Sequence, residues 1–162
     1  MHSPVAALSR ALQALSTILT KAEAHCTAHK IDPTVMLSLR LFPDMLNFTK
    51  QVQLTCDFSA RAVARLSGAE VPSFPDVETS FAELQTRIAT AKTYVDSFTP
   101  AHFEAAEIRE ITLPMRGTEV KMSGADYYTL YSLPQVYFHA TTAYNILRHN
   151  GVEIGKRDYM GG

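Results

Sequence analysis

Charge is scarce in this 162-residue chain: Asp, Glu, Lys and Arg together make up 19% of it, against roughly 25% in ordinary soluble domains. Interface cores are depleted in charge, so the scarcity points toward self-association. The net charge is −1 and no Lys/Arg cluster appears, which removes the basic footprint that nucleic-acid binding needs. No apolar run approaches the roughly 18 residues of a membrane span. Met1-His2-Ser3-Pro4 lacks the basic-then-apolar plan of a secretion signal, so the expectation is a soluble, cytoplasmic chain with neither a nucleic-acid nor a membrane partner. Two cysteines, Cys26 and Cys56, are too few and too far apart for a disulfide framework or a zinc knuckle; each falls on an apolar helix stripe, where a thiol packs as a small hydrophobe. There is no G-x-S-x-G elbow, no phosphate-cradling glycine loop, no H-E-x-x-H and no Cys-x-x-Cys, which leaves the common hydrolase, nucleotide, zinc-protease and redox templates without support. Internal repeats and low-complexity segments are also absent.

Helical periodicity fills that space. A stripe of Val5, Leu8, Leu12, Leu15, Leu19, Ala22 and Cys26 predicts a helix over 4–29, because three-four spacing puts these residues on one face. A short helix beginning at Asp32 or Pro33 runs to Leu39. The next long helix is expected over 43–67, with Leu41, Met45, Phe48, Val52, Cys56, Ser59, Val63 and Leu66 inward and Gly68 ending it. Val71-Pro72-Ser73-Phe74-Pro75 is extended, since each proline drives its predecessor out of the helical region. Asp76 is then expected to cap a helix over 76–98 built on Phe81, Leu84, Ile88, Ala91 and Val95. Two strand-like segments, Glu110 to Pro114 and Thr118 to Met122, flank Met115-Arg116-Gly117 and read as a small hairpin. The last helix, 123–150, is capped by Ser123 and stopped by Gly151, with Pro134 kinking it or breaking one turn. A charge- and glycine-rich tail, 151–162, reads as non-helical and as mobile or paired with a second subunit. The sum is an all-α fold: one four-helix-bundle domain spanning 1–162 with a hairpin or extended insertion before the last helix. Residues 67–76 are long enough, if extended, to carry a crossover that makes the second and third long helices parallel.

Within that plan the last helix draws attention. It is apolar nearly all round, which marks a buried helix, yet it carries Gln135 and His139 four residues apart on one face with Tyr131, Thr142 and Ile146. Buried polar groups need partners. Across the bundle Gln51 and Gln53 flank the core residue Val52, so one of them comes within reach of His139, while Asp57 is expected toward solvent or Arg61. His25 and His29 share a face but have no carboxylate with them, and they suit a helix C-terminus. His2, His102 and His149 carry no signal. One imidazole beside one carboxamide is short of the three protein ligands a catalytic zinc takes. In the tail, Lys156 and Arg157 are the groups that would meet an anionic ligand if that segment closed the bundle mouth.

Pro43-Asp44-Met45, Gln51-Val52-Gln53, Ile111-Thr112-Leu113-Pro114, Tyr137-Phe138-His139, Leu147-Arg148-His149-Asn150-Gly151 and Gly155-Lys156-Arg157-Asp158-Tyr159 together span nearly the whole chain. In them the sequence resembles the DinB/YfiT-like superfamily of metalloenzymes, within a branch known only as a domain of unknown function. The resemblance implies a divalent metal, such as zinc or nickel, held by one histidine of the second helix and two, four residues apart, of the last. On that pattern His139 matches the second histidine of the pair, Gln135 stands where the first would be, and no histidine lies between Pro43 and Leu66. Three functions follow as expectations. The first is a small-molecule-binding homodimer whose pocket contains His139, Gln135, Gln51, Gln53, Tyr131, Lys156 and Arg157, with a degenerate metal site. The second is a metal-dependent enzyme such as a thiol-dependent transferase, with His139 as a ligand. The third is a structural or partner-binding bundle.

Overall fold

A computed structural model describes residues 3–115 and 117–161; His2 and Arg116 lie outside them. Four long helices make the bundle: α1 (Val5–His29), α3 (Phe48–Ser67), α4 (Phe81–Asp96) and α6 (Leu133–His149), with a short α2 (Pro33–Ser38) between the first two. The inward stripes of α1 and α4 are those the periodicity predicts, and Leu8, Leu12, Leu19, Leu84, Ala91 and Val95 have no measurable exposure. Cys26 and Cys56 are free and buried among them.

Caps decide where the helices begin. The α3 helix starts at Phe48 rather than Pro43, because the Asn47 side chain accepts from Lys50 N at 3.0 Å and satisfies a first-turn donor. Leu41 and Met45 therefore lie in the preceding loop, and Leu41 is 40% exposed. Similarly, α4 starts at Phe81 and not at Asp76. Ser80 and Glu83 form a capping box, each side chain accepting from the other's backbone, and the Asp76 carboxylate is drawn instead to Lys50 and Arg87.

Side-chain contacts fix the helix directions. Lys50, in the first turn of α3, pairs with Asp76 just before α4, and Tyr94 in the last turn of α4 donates to Glu70 O just after α3. Helices α3 and α4 are thus parallel, with 68–80 crossing back along their length. Gln85 of α4 bonds Ser16 and Thr20 of α1. Each of α1 and α3 packs against both α4 and α6. Helix α6 runs antiparallel to α3, since Gln51 meets His139 near one end and Arg65 meets Tyr127 near the other.

Strands β1 (Glu110–Met115) and β2 (Thr118–Ser123) pair antiparallel with Met115 opposite Thr118. Gly117 has φ 82°, a conformation glycine adopts without a Cβ penalty. Ile111 and Leu113 point into the core. Ser123 then caps a helical turn, α5 (Gly124–Asp126), accepting from Asp126 N at 3.1 Å. The chain continues as a wide π-helical stretch, Tyr127–Ser132, into α6. Leu133 N–H reaches back five residues to Tyr128 O. The widened turn lies directly before Pro134, whose ring would otherwise press on the carbonyl four residues earlier; the helix absorbs the proline without breaking.

Two expectations fail. The last helix is not buried all round: Tyr137, Phe138 and Leu130 are 43%, 57% and 74% exposed. Nor is the tail without a helix. Val152 and Ile154 are buried, a last turn α7 (Lys156–Tyr159) forms, and the segment docks on its own chain. Lys21 pairs with Asp158 at 2.6 Å, Arg10 donates to Met160 O at 2.8 Å, and Thr141 Oγ donates to Tyr159 OH at 2.9 Å. Gly155 N is satisfied by the Asp158 carboxylate, which offsets the charge and glycine content that argued against helix there.

Candidate functional site

His139 lies on the α6 face turned toward α3, 7% exposed. Its Nδ1 is 2.8 Å from Gln51 Oε1, so of the two helix-α3 amides considered it is Gln51 that reaches the imidazole. Gln51 sits in the first turn of its helix, where its Nε2 donates to Leu46 O at 3.0 Å. The imidazole stacks on Phe58, ring centroids 5.5 Å apart and planes 7° from parallel, and Phe138 meets it edge-on at 5.3 Å. Tyr131 meets Phe58 edge-on at 6.1 Å and lies against Tyr127 at 5.9 Å. Phe58 is the member of this group that sequence reasoning missed. A signal existed, because Phe58 is seven residues from Gln51 and so returns to the same face of α3. The wide turn at Tyr127–Ser132 has its consequence here, since it sets the rotation of Tyr131 ahead of the straight helix that carries His139.

Burial holds the His139 pKa below its ordinary value, the direction desolvation gives an imidazole. Among the described residues no carboxylate hydrogen-bonds to the ring. Arg61 lies 5.8 Å over the Phe58 ring and is itself tied to Asp57. Gln135 is half-buried one turn before His139 and makes no side-chain hydrogen bond among the described residues.

The other candidates go elsewhere. Gln53 donates to Glu78 at 2.8 Å and belongs to a buried ionic cluster around Arg87. That guanidinium, 4% exposed, contacts Asp57 at 2.6 Å, Glu78 at 2.8 Å, Asp76 at 3.1 Å and Pro75 O at 3.0 Å, with Phe74 stacked on it. Asp57, expected toward solvent, is 7% exposed, because Arg87 supplies the buried partner that a single helix stripe cannot reveal; its expected bond to Arg61 also forms. Lys156 and Arg157 are exposed on α7, on the α1 side of the bundle, and do not join His139. A separate apolar recess of about 340 Å³ lies there, between α1, Tyr137, Ala140 and the tail.

The donors at His139 do not fit a divalent metal well. The imidazole bonds the Gln51 carboxamide, with no thiolate or carboxylate bonded to it among the described residues, whereas metal sites of this size take three or more histidine, cysteine or acidic ligands. No group of three such side chains is placed to hold a metal ion among the described residues. The Asp57 carboxylate is held by arginines, and His25 and His29 stack on each other at 4.1 Å.

Known proteins place the chain. It is 42% identical to a DinB family member protein from Shewanella denitrificans, solved by crystallography, with a TM-score of 0.92 over 98% of this chain and 89% of that one. No curated protein matches. A family model described as a domain of unknown function (DUF1993) matches residues 2–160. With the parallel α3–α4 crossover, the hairpin before the last helix and that likeness together, the chain belongs to the DUF1993 family and has the DinB-type helical fold.

Proposed function

We propose that this protein binds a small molecule at the α3–α6 seam, at a site made by His139, Gln51, Gln135, Phe58 and Tyr131. The observation that carries the reading is the His139 imidazole, buried and held at one nitrogen by Gln51 while the other nitrogen makes no bond to the described residues. Burying a polar ring costs free energy unless it is fully paired, and an apolar side chain of similar size would fill the position at lower cost. A half-satisfied ring beside aromatic walls and a second carboxamide is what small-molecule sites use for orientation. The site does not need a metal, and the thiol-dependent transfer chemistry associated with metal-bearing DinB proteins is not part of the reading. The exposed Tyr137 and Phe138 of α6, with Leu130 in the wide turn before it, give that part of the chain an outer apolar surface that supports a homodimer.

Thermal unfolding of the wild type and of His139→Ala, each with a panel of small neutral and anionic aromatic compounds and with zinc, nickel or manganese added back, tests the site. Compounds that stabilise the wild type and not the variant support it. If no compound separates the two, His139 is a core residue. Stoichiometric metal lost in His139→Ala would replace this reading with a metal-dependent one. Sedimentation as a monomer at micromolar concentration removes the homodimer.

A further inference from the structure

The hydrogen bonds around Gln51 settle which nitrogen of His139 carries its proton. A carboxamide has one accepting end and one donating end. Leu46 O only accepts, so the end of Gln51 turned to it must be Nε2, which donates at 3.0 Å. The end turned to His139 is then Oε1, at 2.8 Å from Nδ1. The reverse placement would set two oxygens against each other at Leu46. Because Oε1 only accepts, Nδ1 must donate and carries the hydrogen. The ring is buried with no acid bonded to it, so it is neutral, and a neutral imidazole protonated at Nδ1 has a bare lone pair at Nε2. This nitrogen has no hydrogen-bond partner among the described residues and is not among the fully enclosed unpaired polar atoms, which are Arg87 Nε and Ser132 Oγ. Nε2 therefore keeps a small exposure and is the ring atom left to take a hydrogen bond from a ligand.

We infer that His139 presents Nε2 as a hydrogen-bond acceptor, fixed by Gln51, and that the ligand of this site is a neutral, planar molecule whose N–H or O–H donates to it beside Phe58. This rests on the small-molecule reading above and narrows it. Anions are disfavoured because an acceptor lone pair repels a carboxylate or phosphate and no cation hydrogen-bonds to the ring. The Phe58 ring, 7° from parallel to the imidazole, offers an aromatic face for a flat molecule to pack beside. Gln51 acts as a positioning residue, through the tautomer it imposes.

The test uses the full chain with nitrogen-15 in its histidine rings. Long-range proton–nitrogen spectra distinguish a protonated from a bare ring nitrogen, and His139 is identified by the loss of its signals in His139→Ala. The expected result is a protonated Nδ1 and a bare Nε2 in the wild type, with Gln51→Leu mixing the two tautomers. Phenol, toluene and benzoate are then titrated as probes. Phenol and toluene have the same shape, and one has the donor. A shift of the Nε2 signal by phenol, with roughly tenfold weaker binding of toluene, is the size one net hydrogen bond gives. A bare Nδ1 with a protonated Nε2 overturns the inference and leaves the binding site itself standing. Equal binding of toluene, or tighter binding of benzoate, also overturns the donor requirement while leaving the site. The expected tautomer with no response to any probe sinks the site reading, and the inference with it.

Discussion

Removing Arg87 should loosen the crossover between α3 and α4. The guanidinium is 4% exposed, and its NH1 and NH2 hold Asp57, Glu78, Asp76 and the Pro75 carbonyl at 2.6–3.1 Å. Three of these four partners belong to the 68–80 crossover, so one α4 side chain ties that segment to the bundle. Arg87→Met keeps the volume and removes the charge, leaving acidic side chains that are 9% exposed at positions 57 and 78. Breaking a buried pair from one side costs about 3–5 kcal/mol. The lower end applies, because Asp57 keeps Arg61 at 2.7 Å and Asp76 keeps Lys50. At about 2–4 °C per kcal/mol for a chain of this size, a loss of about 3 kcal/mol lowers the melting temperature by roughly 6–12 °C. Limited proteolysis should cut 68–80 first. Arg87→Lys should recover little, since a single ammonium cannot fan out to four acceptors. Arg87→Met combined with Asp57→Asn and Glu78→Gln should recover much of the loss, because no buried charge is left without a partner. A loss under about 1 kcal/mol in Arg87→Met, with no new cleavage in 68–80, would refute the account of the cluster as the clasp of the crossover.

Three other outcomes follow from the structure. Burial lowers the His139 pKa, so the folded state binds fewer protons than the unfolded chain just below the unfolded value of about 6.5. Stability is then full above about pH 6.5 and falls as pH drops through that value toward the folded pKa; urea titrations of wild type against His139→Gln should show the slope in the wild type alone, and identical slopes would count against it. Gln51→Glu places a carboxylate at bonding distance from Nδ1 and should raise the His139 pKa, since a nearby opposite charge favours the imidazolium, read by the pH dependence of its ring signals; an unchanged pKa would mean that the 2.8 Å contact does not persist in solution. A Cβ on Gly124 would lie 1.8 Å from Ala106 O. Gly124→Ala must therefore move backbone and should cost about 1–3 kcal/mol, measured by urea unfolding, whereas a neutral result would show that the turn before the last helix yields freely.

Apolar spacing carried most of the fold and little of the site. The stripe from Phe81 to Val95 needed only its own helix to be read, because burial of one face is a local pattern with a global consequence. Helix starts failed where two cap signals competed within a few residues. Asn47 won over Pro43-Asp44, and Ser80 with Glu83 won over Asp76. In the second case the loser had a long-range partner, Arg87, and long-range electrostatics leave no periodic trace. The tail failed for a related reason: the Lys21–Asp158 pair joins residues 137 apart, and composition alone cannot see it.

The site shows the same division in sharper form. His139 and Gln135 stood out because polar residues on an apolar helix are conspicuous, and Gln51 was reachable as one of the amides beside Val52. Neither the choice of Gln51 over Gln53 nor its orientation was legible. The two amides project about 200° apart around α3, and the choice depends on which side the packing turns toward α6; the Gln53 side meets Glu78 instead. The orientation depends on the Leu46 carbonyl, exposed at the loop end only because Asn47 starts α3 where it does. A capping residue thus fixes where a loop carbonyl sits, that carbonyl turns a glutamine amide, and the amide decides which histidine nitrogen is bare. Asn47→Ala should accordingly disturb the His139 ring signals without touching the ring. If those signals are unchanged while the helix start frays, the chain of hydrogen bonds from Asn47 to His139 is not what sets the site.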